Sequence, residues 1–221
     1  MRPMAGAFNQ KAAINNCYGN PIDQSLVKKS LRKESILRRD SMSLDARRSK
    51  DRAILDRLIS MSEFKNARTV LVYAAFRSEV GTEHIIRKAL AENRIVGLPR
   101  VERLTETLKL YSIEDWSDLA PGCWGILEPA ERPDRTMDIK NIELVITPGA
   151  AFDEHCNRIG YGKGYYDKLL SGRKLELHPV VLGLAYEEQI VRSIPFDPHD
   201  MKMDLIITDK RDIRCHGPKE N

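Results

Sequence analysis

Residues 143–167 read ELVITPGAAFDEHCNRIGYGKGYYD. The first five form a mostly apolar run of strand length, and this run ends at Pro148-Gly149. From Tyr166 onward, Leu169 and Leu170 continue the apolar spacing of a helix. A strand that leads through a glycine-rich turn into a helix is typical of an open α/β sheet, in which ligands bind beyond the carboxyl ends of the strands.

The glycine-rich turn is a candidate phosphate-binding site. Three glycines alternate with larger residues in it: Gly160, Gly162 and Gly164. Glycines let backbone N–H groups approach a polyanion closely, and the start of a helix adds favourable partial charge. Arg158 and Lys163 would add full positive charge, and Asp167 would offer a hard oxygen ligand for magnesium.

Standard nucleotide-binding motifs do not fit this turn. Asn157 occupies the position of the first glycine of a P-loop, and Tyr165 occupies that of the third glycine of the dinucleotide motif. The glycines alone are therefore equally compatible with a tight surface turn that packs on two tyrosines.

The rest of the chain predicts an α/β fold. Apolar runs of strand length, four of them β-branched and continuous, occur at residues 69–75, 94–98, 108–113, 143–147, 179–185 and 204–208. The spacing predicts two amphipathic helices, one with apolar positions from Leu26 to Leu37 and one that opens at the candidate cap Ser43 and runs to Ile59. A further helical pattern occurs at residues 82–92. Continuous apolar strands between helices indicate a largely parallel sheet that is covered on both faces.

Composition excludes several classes of protein. The chain has 221 residues, of which 42% are hydrophobic and 31% charged, so it can fill a core and is neither disordered nor fibrous. Its apolar runs are too short for a membrane span, and Met1–Asn20 has no secretory signal. Its four cysteines are scattered, which favours reduced thiols and a cytoplasmic protein.

A basic block lies at residues 28–52. It holds ten Lys or Arg residues and four Asp or Glu residues. One interpretation is a solvated helix face, and a second is a clamp on phosphates that includes Lys28, Arg32 and Lys33. A third is a nucleic-acid-binding helix, but the block has no aromatic residue on which a base could stack.

Several ordered motifs together resemble the 5-formyltetrahydrofolate cyclo-ligase family, whose members are also called methenyltetrahydrofolate synthetases. The motifs are KKSLRKE from Lys28, Glu79 after the first strand, Leu98-Pro99-Arg100, WGILEP from Trp124, the glycine-rich segment above, and HDMKMD from His199. Cys156 departs from the glycine that is usual in this family, and it puts the turn before Asn157 in question.

The resemblance implies a fold, a reaction and a domain arrangement. The fold is a three-layer α/β/α sandwich with a mostly parallel central sheet, similar to CoA transferases and sugar-phosphate isomerases. The reaction is ATP-dependent cyclisation of 5-formyltetrahydrofolate to 5,10-methenyltetrahydrofolate, with release of ADP and phosphate. We expect a loose tail at residues 1–24, one domain at 25–209 and a C-terminal tail at 210–221. We also expect a monomer that binds reduced folate, ATP and Mg²⁺, but no nucleic acid or membrane.

The resemblance also implies roles for individual residues. The ATP-binding residues would be Lys28, Arg32, Arg158, Gly160, Gly162, Lys163, Gly164 and Tyr166. The folate-binding residues would be Ala74, Glu79, Trp124 and Tyr165. Lys163 and Tyr165 would act in catalysis, and Asp167 and Asp200 would bind magnesium. Other interpretations are a core tryptophan for Trp124, an exposed loop acid for Glu79 and an ordinary turn residue for Asp200.

Two other functions stay open at this point. An isomerase or transferase of the same fold would act on a sugar phosphate or CoA ester without ATP, since fold alone does not fix function. A basic nucleic-acid-binding protein would show binding that weakens with salt.

Overall fold

The computed structural model describes residues 23–171 and 179–215. Its helices are α1 (Gln24–Asp40), α2 (Leu44–Ser60), α3 (Ser62–Asn66), α4 (Glu83–Ala91) and α5 (Tyr165–Ser171). The Asp23 side chain caps α1 by accepting a hydrogen bond from the backbone N–H of Ser25 at 2.9 Å. Ser43 caps α2 in the same way through Ala46, at 3.2 Å, as the sequence predicts.

Most of the strands join one sheet. The strands are β1 (Thr69–Leu71), β2 (Ile95–Glu102), β3 (Thr107–Ile113), β4 (Leu119–Pro121), β5 (Leu127–Pro129), β6 (Thr136–Met137), β7 (Leu144–Thr147), β8 (Ala151–Asp153), β9 (Arg158–Ile159), β10 (Val180–Leu184), β11 (Ile190–Val191), β12 (Leu205–Ile207) and β13 (Asp212–Arg214). The large sheet has the order β13-β12-β10-β7-β1-β2-β3-β6. Its central strands β12, β10, β7, β1 and β2 are parallel, whereas β3, β6 and β13 are added antiparallel. Two small sheets, β11-β8-β9 and β4-β5, accompany it.

Alternate residues of the central strands point to opposite faces of the sheet, and both faces are covered. Leu144 and Ile146 of β7 pack in one hydrophobic cluster with residues of α2, α3 and α4. Val145 packs in a second cluster with Phe152 and with Leu170 of α5. Both clusters are buried, which confirms the expected α/β fold with helices on both sides of a mostly parallel sheet.

Strand β2 is longer than the sequence predicts. We expected it to end at Pro99, but it continues to Glu102 and pairs with β3 over its whole second half. The backbone N–H of Ile95 donates toward the β1 side, to Arg68 O, and the carbonyl of Gly97 accepts from Val72 on that side. The backbone nitrogen of Pro99 faces the same side beyond the end of β1, so its missing N–H leaves no β1 carbonyl unpaired.

Two cysteines are paired, contrary to the expectation of reduced thiols. Cys156 and Cys215 form a disulfide with a Cα–Cα distance of 6.0 Å, whereas Cys123 is a buried free thiol. The pairing is hidden in the sequence because 59 positions separate the two residues. Strand β13 returns antiparallel to β12 and brings Cys215 next to the glycine-rich segment.

Part of each expected tail lies outside the residues that the structure describes. Residues 1–22, which make up most of the expected N-terminal tail, lie outside the described part of the chain. Within the expected C-terminal tail, residues 212–214 form the edge strand β13. Among the described helices, none is both long enough and apolar enough to cross a membrane.

Candidate functional site

A cavity of about 430 Å³ opens beyond the carboxyl ends of β1 and β7. Two segments that follow these strands form its walls, one after β1 and one that runs from Pro148 through the glycine-rich turn. Ten of the predicted site residues line it: Ala74, Glu79, Trp124, Arg158, Gly160, Lys163, Gly164, Tyr165, Tyr166 and Asp167. The structure therefore brings the four predicted folate residues and five of the eight predicted ATP residues to one cavity.

Four predicted residues are not among the described residues that line the cavity: Lys28, Arg32, Gly162 and Asp200. The Arg32 Nε atom donates a 2.7 Å hydrogen bond to the carbonyl oxygen of Gly160. Its guanidinium lies beside Gly162, where an added Cβ atom would be 3.7 Å from Cζ, and the φ angle of Gly162 is 101°. A side chain at position 162 would thus strain the backbone, whereas its contact with the arginine would be an ordinary van der Waals contact. Burial lowers the pKa of Arg32.

Lys28 lies on α1 one turn before Arg32, and its side chain contacts Asp200. The Lys28 ammonium donates to Asp200 and to Asp197, with both N–O distances 2.5 Å. Burial opposes the charge of Lys28, but the hydrogen bonds that it donates to the two carboxylates outweigh this effect and raise the pKa of the lysine. The predicted phosphate ligand Lys28 and the predicted magnesium ligand Asp200 are therefore paired with each other.

Asp167 has a similar partner. The buried Arg158 donates from Nη2 to Asp167 Oδ1 at 2.9 Å and from Nη1 to the carbonyl oxygen of Pro148 at 3.2 Å. The backbone N–H of Met201, next to Asp200, donates to the same Asp167 oxygen at 3.3 Å. Each predicted magnesium ligand thus lies beside a predicted phosphate-binding cation.

Two buried polar atoms in the cavity wall have no hydrogen-bond partner among the residues that the structure describes. They are the Nε atom of Arg158 and the hydroxyl of Tyr166, whose ring lies 5.7 Å from the arginine Cζ. Burial also raises the pKa of Tyr166, so the hydroxyl keeps its proton at neutral pH. Buried donors without partners are costly, and a bound ligand would satisfy them.

The opposite wall of the cavity is mostly apolar. Pro99, Val101, Leu108 and Ile126 line it, and Trp124 stands at its edge. Trp124 is 58% exposed and its φ angle is 57°, a left-handed conformation that is uncommon for a bulky residue. It is therefore not a core tryptophan, and its ring is available to a flat ligand.

The loop after β1 holds Glu79 in the cavity wall. The backbone N–H of Phe76 donates a 2.8 Å hydrogen bond to the Glu79 carboxylate, and the Tyr161 hydroxyl bonds to the same group. Burial raises the pKa of Glu79, and these hydrogen bonds offset part of that shift. Glu79 is therefore not an exposed loop acid. The buried Ala74 lies five residues before it, next to the start of the loop.

Lys163 is the more exposed of the two predicted catalytic residues. Its side chain is 58% exposed, and its ammonium lies 3.3 Å from Glu106 in the turn between β2 and β3. Tyr165 begins α5, and Gly164 before it has a φ angle of 66°. The glycine permits the sharp entry into α5 that brings both neighbours to the cavity.

The structure shows the backbone conformation at Cys156, which stands where the family usually has glycine. Its φ angle is 61°, so the turn keeps the left-handed conformation that glycine favours. Asn157 and Arg158 follow it, and Asp153 accepts hydrogen bonds from the backbone and side chain of Asn157, both at 2.9 Å.

Sequence reasoning missed three residues near the site. Asp197 shares Lys28 with Asp200, while Arg39 and Tyr161 line the cavity and contact each other. Tyr161 lies inside the glycine-rich motif, which was a usable signal. Arg39 follows another arginine at the end of a basic helix, and nothing local distinguishes the two.

Comparisons with known proteins identify the family of the chain. The model of the 5-formyltetrahydrofolate cyclo-ligase family matches residues 24–209. The chain belongs to the 5-formyltetrahydrofolate cyclo-ligase family. It is 30% identical to the mouse 5-formyltetrahydrofolate cyclo-ligase over 188 residues, which are 82% of this chain and 93% of the mouse protein. It is 32% identical to a probable cyclo-ligase of Schizosaccharomyces pombe over 73% of this chain and 85% of the yeast protein.

Solved structures show the same relationship. The 5,10-methenyltetrahydrofolate synthetase of Aquifex aeolicus matches with a TM-score of 0.77 and 30% identity, over 88% of this chain and 96% of that one. A synthetase from Mycoplasma pneumoniae matches in fold, with a TM-score of 0.67 and 24% identity, over 82% of this chain and 98% of that one. Cyclo-ligases of this family are ligases, and their reaction is the ATP-dependent cyclisation that the sequence motifs imply.

Proposed function

We propose that this chain converts 5-formyltetrahydrofolate to 5,10-methenyltetrahydrofolate with ATP and Mg²⁺. The observation that carries the proposal is the single cavity in which the glycine-rich turn meets an apolar wall edged by Trp124. One side has the groups that suit a polyphosphate, and the other suits a flat ring. Family membership favours this reaction over a sugar-phosphate isomerase, a CoA transferase or a nucleic-acid-binding protein.

The phosphate side would hold ATP through cations and main-chain amides. Lys28, Arg32 and Arg158 would contact phosphate oxygens, and the amides of residues 160–164 would approach them as in other glycine-rich turns. The partnerless Nε of Arg158 and hydroxyl of Tyr166 support this role, because a ligand oxygen would satisfy both.

Asp167 and Asp200 would hold magnesium, which would supply positive charge beside the phosphates of ATP. The donor set fits, since magnesium prefers carboxylate oxygens and fills its remaining positions with water and phosphate. In this arrangement Lys28 leaves Asp200 and Arg158 loosens from Asp167, and both cations turn to phosphate. Binding would therefore exchange ion-pair partners for Asp167 and Asp200, while Asp197, whose side chain is about half exposed, would be left to solvent.

The folate side would hold the pterin ring against Trp124, with Ala74 and Glu79 on the facing wall. The Glu79 carboxylate would accept hydrogen bonds from the amino edge of the pterin. Tyr165, at the start of α5, would lie near the formyl group, between the folate side and the phosphate side.

Positioning explains how this arrangement would drive ring closure. The N-formyl group is an amide, and its oxygen is a poor leaving group until it is phosphorylated. The γ-phosphoryl group passes from ATP to the formyl oxygen, and ADP leaves. The N10 amine then attacks the formyl carbon and loses its proton as phosphate departs, which closes the five-membered ring. Lys163 would stabilise charge on the transferring phosphoryl group, and phosphoryl transfer needs no protein nucleophile.

An absorbance assay tests this function. Purified protein with 5-formyltetrahydrofolate and MgATP should produce the near-ultraviolet absorbance of the methenyl product, and omission of ATP should abolish it. Folded protein that forms no product from fresh substrate would contradict the proposal. The monomeric state and cytoplasmic location expected from the sequence remain predictions.

A further inference from the structure

Arg39 is a buried cation in the wall of the cavity. It lies in the last turn of α1 and is only 2% exposed. A buried guanidinium is costly unless its charge and its donors are satisfied, so its partners indicate what it does.

The partners of Arg39 are oxygens of three separate segments. Its Nε donates to the hydroxyl of Ser78 at 3.0 Å, its Nη2 to the hydroxyl of Tyr161 at 2.8 Å and its Nη1 to the carbonyl of Gly149 at 3.4 Å. Within the described residues, none of its hydrogen bonds goes directly to a carboxylate. Arg39 thus joins α1 to the loop after β1 and to the glycine-rich segment.

Two carboxylates reach Arg39 through these hydroxyls. Ser78 donates its own proton to Asp40, and the Tyr161 hydroxyl hydrogen-bonds the Glu79 carboxylate. Tyr161 accepts from Arg39 through its oxygen, so its proton is free to go to Glu79. The result is a relay from Arg39 through Tyr161 to the carboxylate in the cavity wall.

We propose that Arg39 is a positioning residue for the folate substrate, which acts through Tyr161 to fix the orientation and the charge of the Glu79 carboxylate. The proposal rests on the function proposed above. Arg39 itself need not touch the folate. Arg39 keeps the Glu79 carboxylate ionised in a largely apolar cavity and holds it facing the hydrogen-bond donors of the ligand.

The surroundings of Glu79 make Arg39 the decisive charge. The titratable groups that face this carboxylate are Arg39 of α1, Tyr73 after β1, Tyr161 of the glycine-rich turn and Tyr166 of α5. Burial raises the pKa of each of these tyrosines, which are therefore neutral near pH 7. Asp40, Arg77 and Arg158 also line the cavity, but among the described charged groups Arg39 is the one whose attraction lowers the pKa of Glu79, so its removal should favour protonation of Glu79.

The test compares Arg39→Met with Arg38→Met. Arg38 is the exposed neighbour on the same helix, and its described side-chain hydrogen bond goes to Ser35 within α1. We expect Arg39→Met to lower kcat/KM for the reduced folate by about tenfold or more, while KM for ATP changes by less than about twofold. The acid limb of its kcat/KM profile should move to higher pH. Arg38→Met should match the wild type in all three measurements.

Two further variants separate positioning from folding. Arg39→Lys keeps the charge and should restore most of the wild-type pH profile. Tyr161→Phe keeps the ring but breaks the relay, so it should move the acid limb in the same direction as Arg39→Met. An unchanged pH profile in Tyr161→Phe or in folded Arg39→Met would overturn the proposal, even if either variant melts at a lower temperature.

A measurement without substrate distinguishes this proposal from the proposed function. The Glu79 carboxyl can be titrated by ¹³C NMR in glutamate-labelled protein, with Glu79→Gln to assign the signal. We expect it to titrate at higher pH in Arg39→Met than in the wild type. Equal titration curves would refute the role of Arg39, whereas absence of cyclisation by the wild type would refute only the function.

Discussion

Replacement of Lys28 by alanine tests the phosphate-binding role of α1. The Lys28 side chain is only 15% exposed, and its ammonium lies 2.5 Å from both Asp197 and Asp200. If ATP takes this ammonium from the two aspartates, the variant loses one charged hydrogen bond to phosphate. Such a bond contributes about 1.5–3 kcal/mol, which corresponds to a roughly 10- to 150-fold change in affinity. Because the aspartates compete for the lysine, we expect the lower part of this range.

The assay is steady-state cyclisation with ATP varied at saturating folate. Lys28→Ala should raise KM for ATP by about 10- to 30-fold and leave KM for the folate nearly unchanged. Lys29→Ala is the matched control, since Lys29 is the exposed next residue of the same helix. Lys28→Ala should lower the free energy of unfolding by about 1 kcal/mol, because solvent partly screens both aspartates. Equal ATP KM values for Lys28→Ala and the wild type would refute the reasoning.

Two further predictions concern the folate wall and the edge strand. Trp124→Ala should raise KM for the folate about 2- to 10-fold through lost stacking and leave KM for ATP unchanged, and a shift of the ATP value instead would contradict the assignment. Arg214 holds the pKa of Glu63 at about 2 through its hydrogen bonds. Because that pKa is lowered, Arg214→Ala should cost about 0.5–1 kcal/mol in urea unfolding above pH 4.5, and the difference should vanish as the pH falls through about 2. A cost that grows toward acid pH would contradict this assignment.

The central sheet was predictable because its strands are buried on both faces. Residues 144–146, for example, are apolar at successive positions, as a parallel strand that is covered on both faces requires. The end of β2 was not predictable, since a proline is acceptable only where the neighbouring strand has already stopped. That condition depends on the length of β1, which has no signal in the residues around Pro99.

The residues that line the candidate site were predictable to a similar extent. The glycine-rich motif and Trp124 carry local signals, and the structure brings both to the cavity. Arg39 carries none, because Arg38 and Arg39 look alike in sequence and only packing against loops 39 to 122 positions away buries the second. The Cys156–Cys215 pairing likewise depends on the return of β13.

The most direct test of the account is a structure of the protein with Mg²⁺ and a non-hydrolysable ATP analogue. We expect the triphosphate to lie on the turn at residues 160–164, with its terminal phosphate facing the cavity beside Lys163 and Tyr165. Lys28 should have left Asp197 and Asp200 to contact phosphate. A nucleotide bound elsewhere, with the Lys28 ion pairs intact, would contradict it.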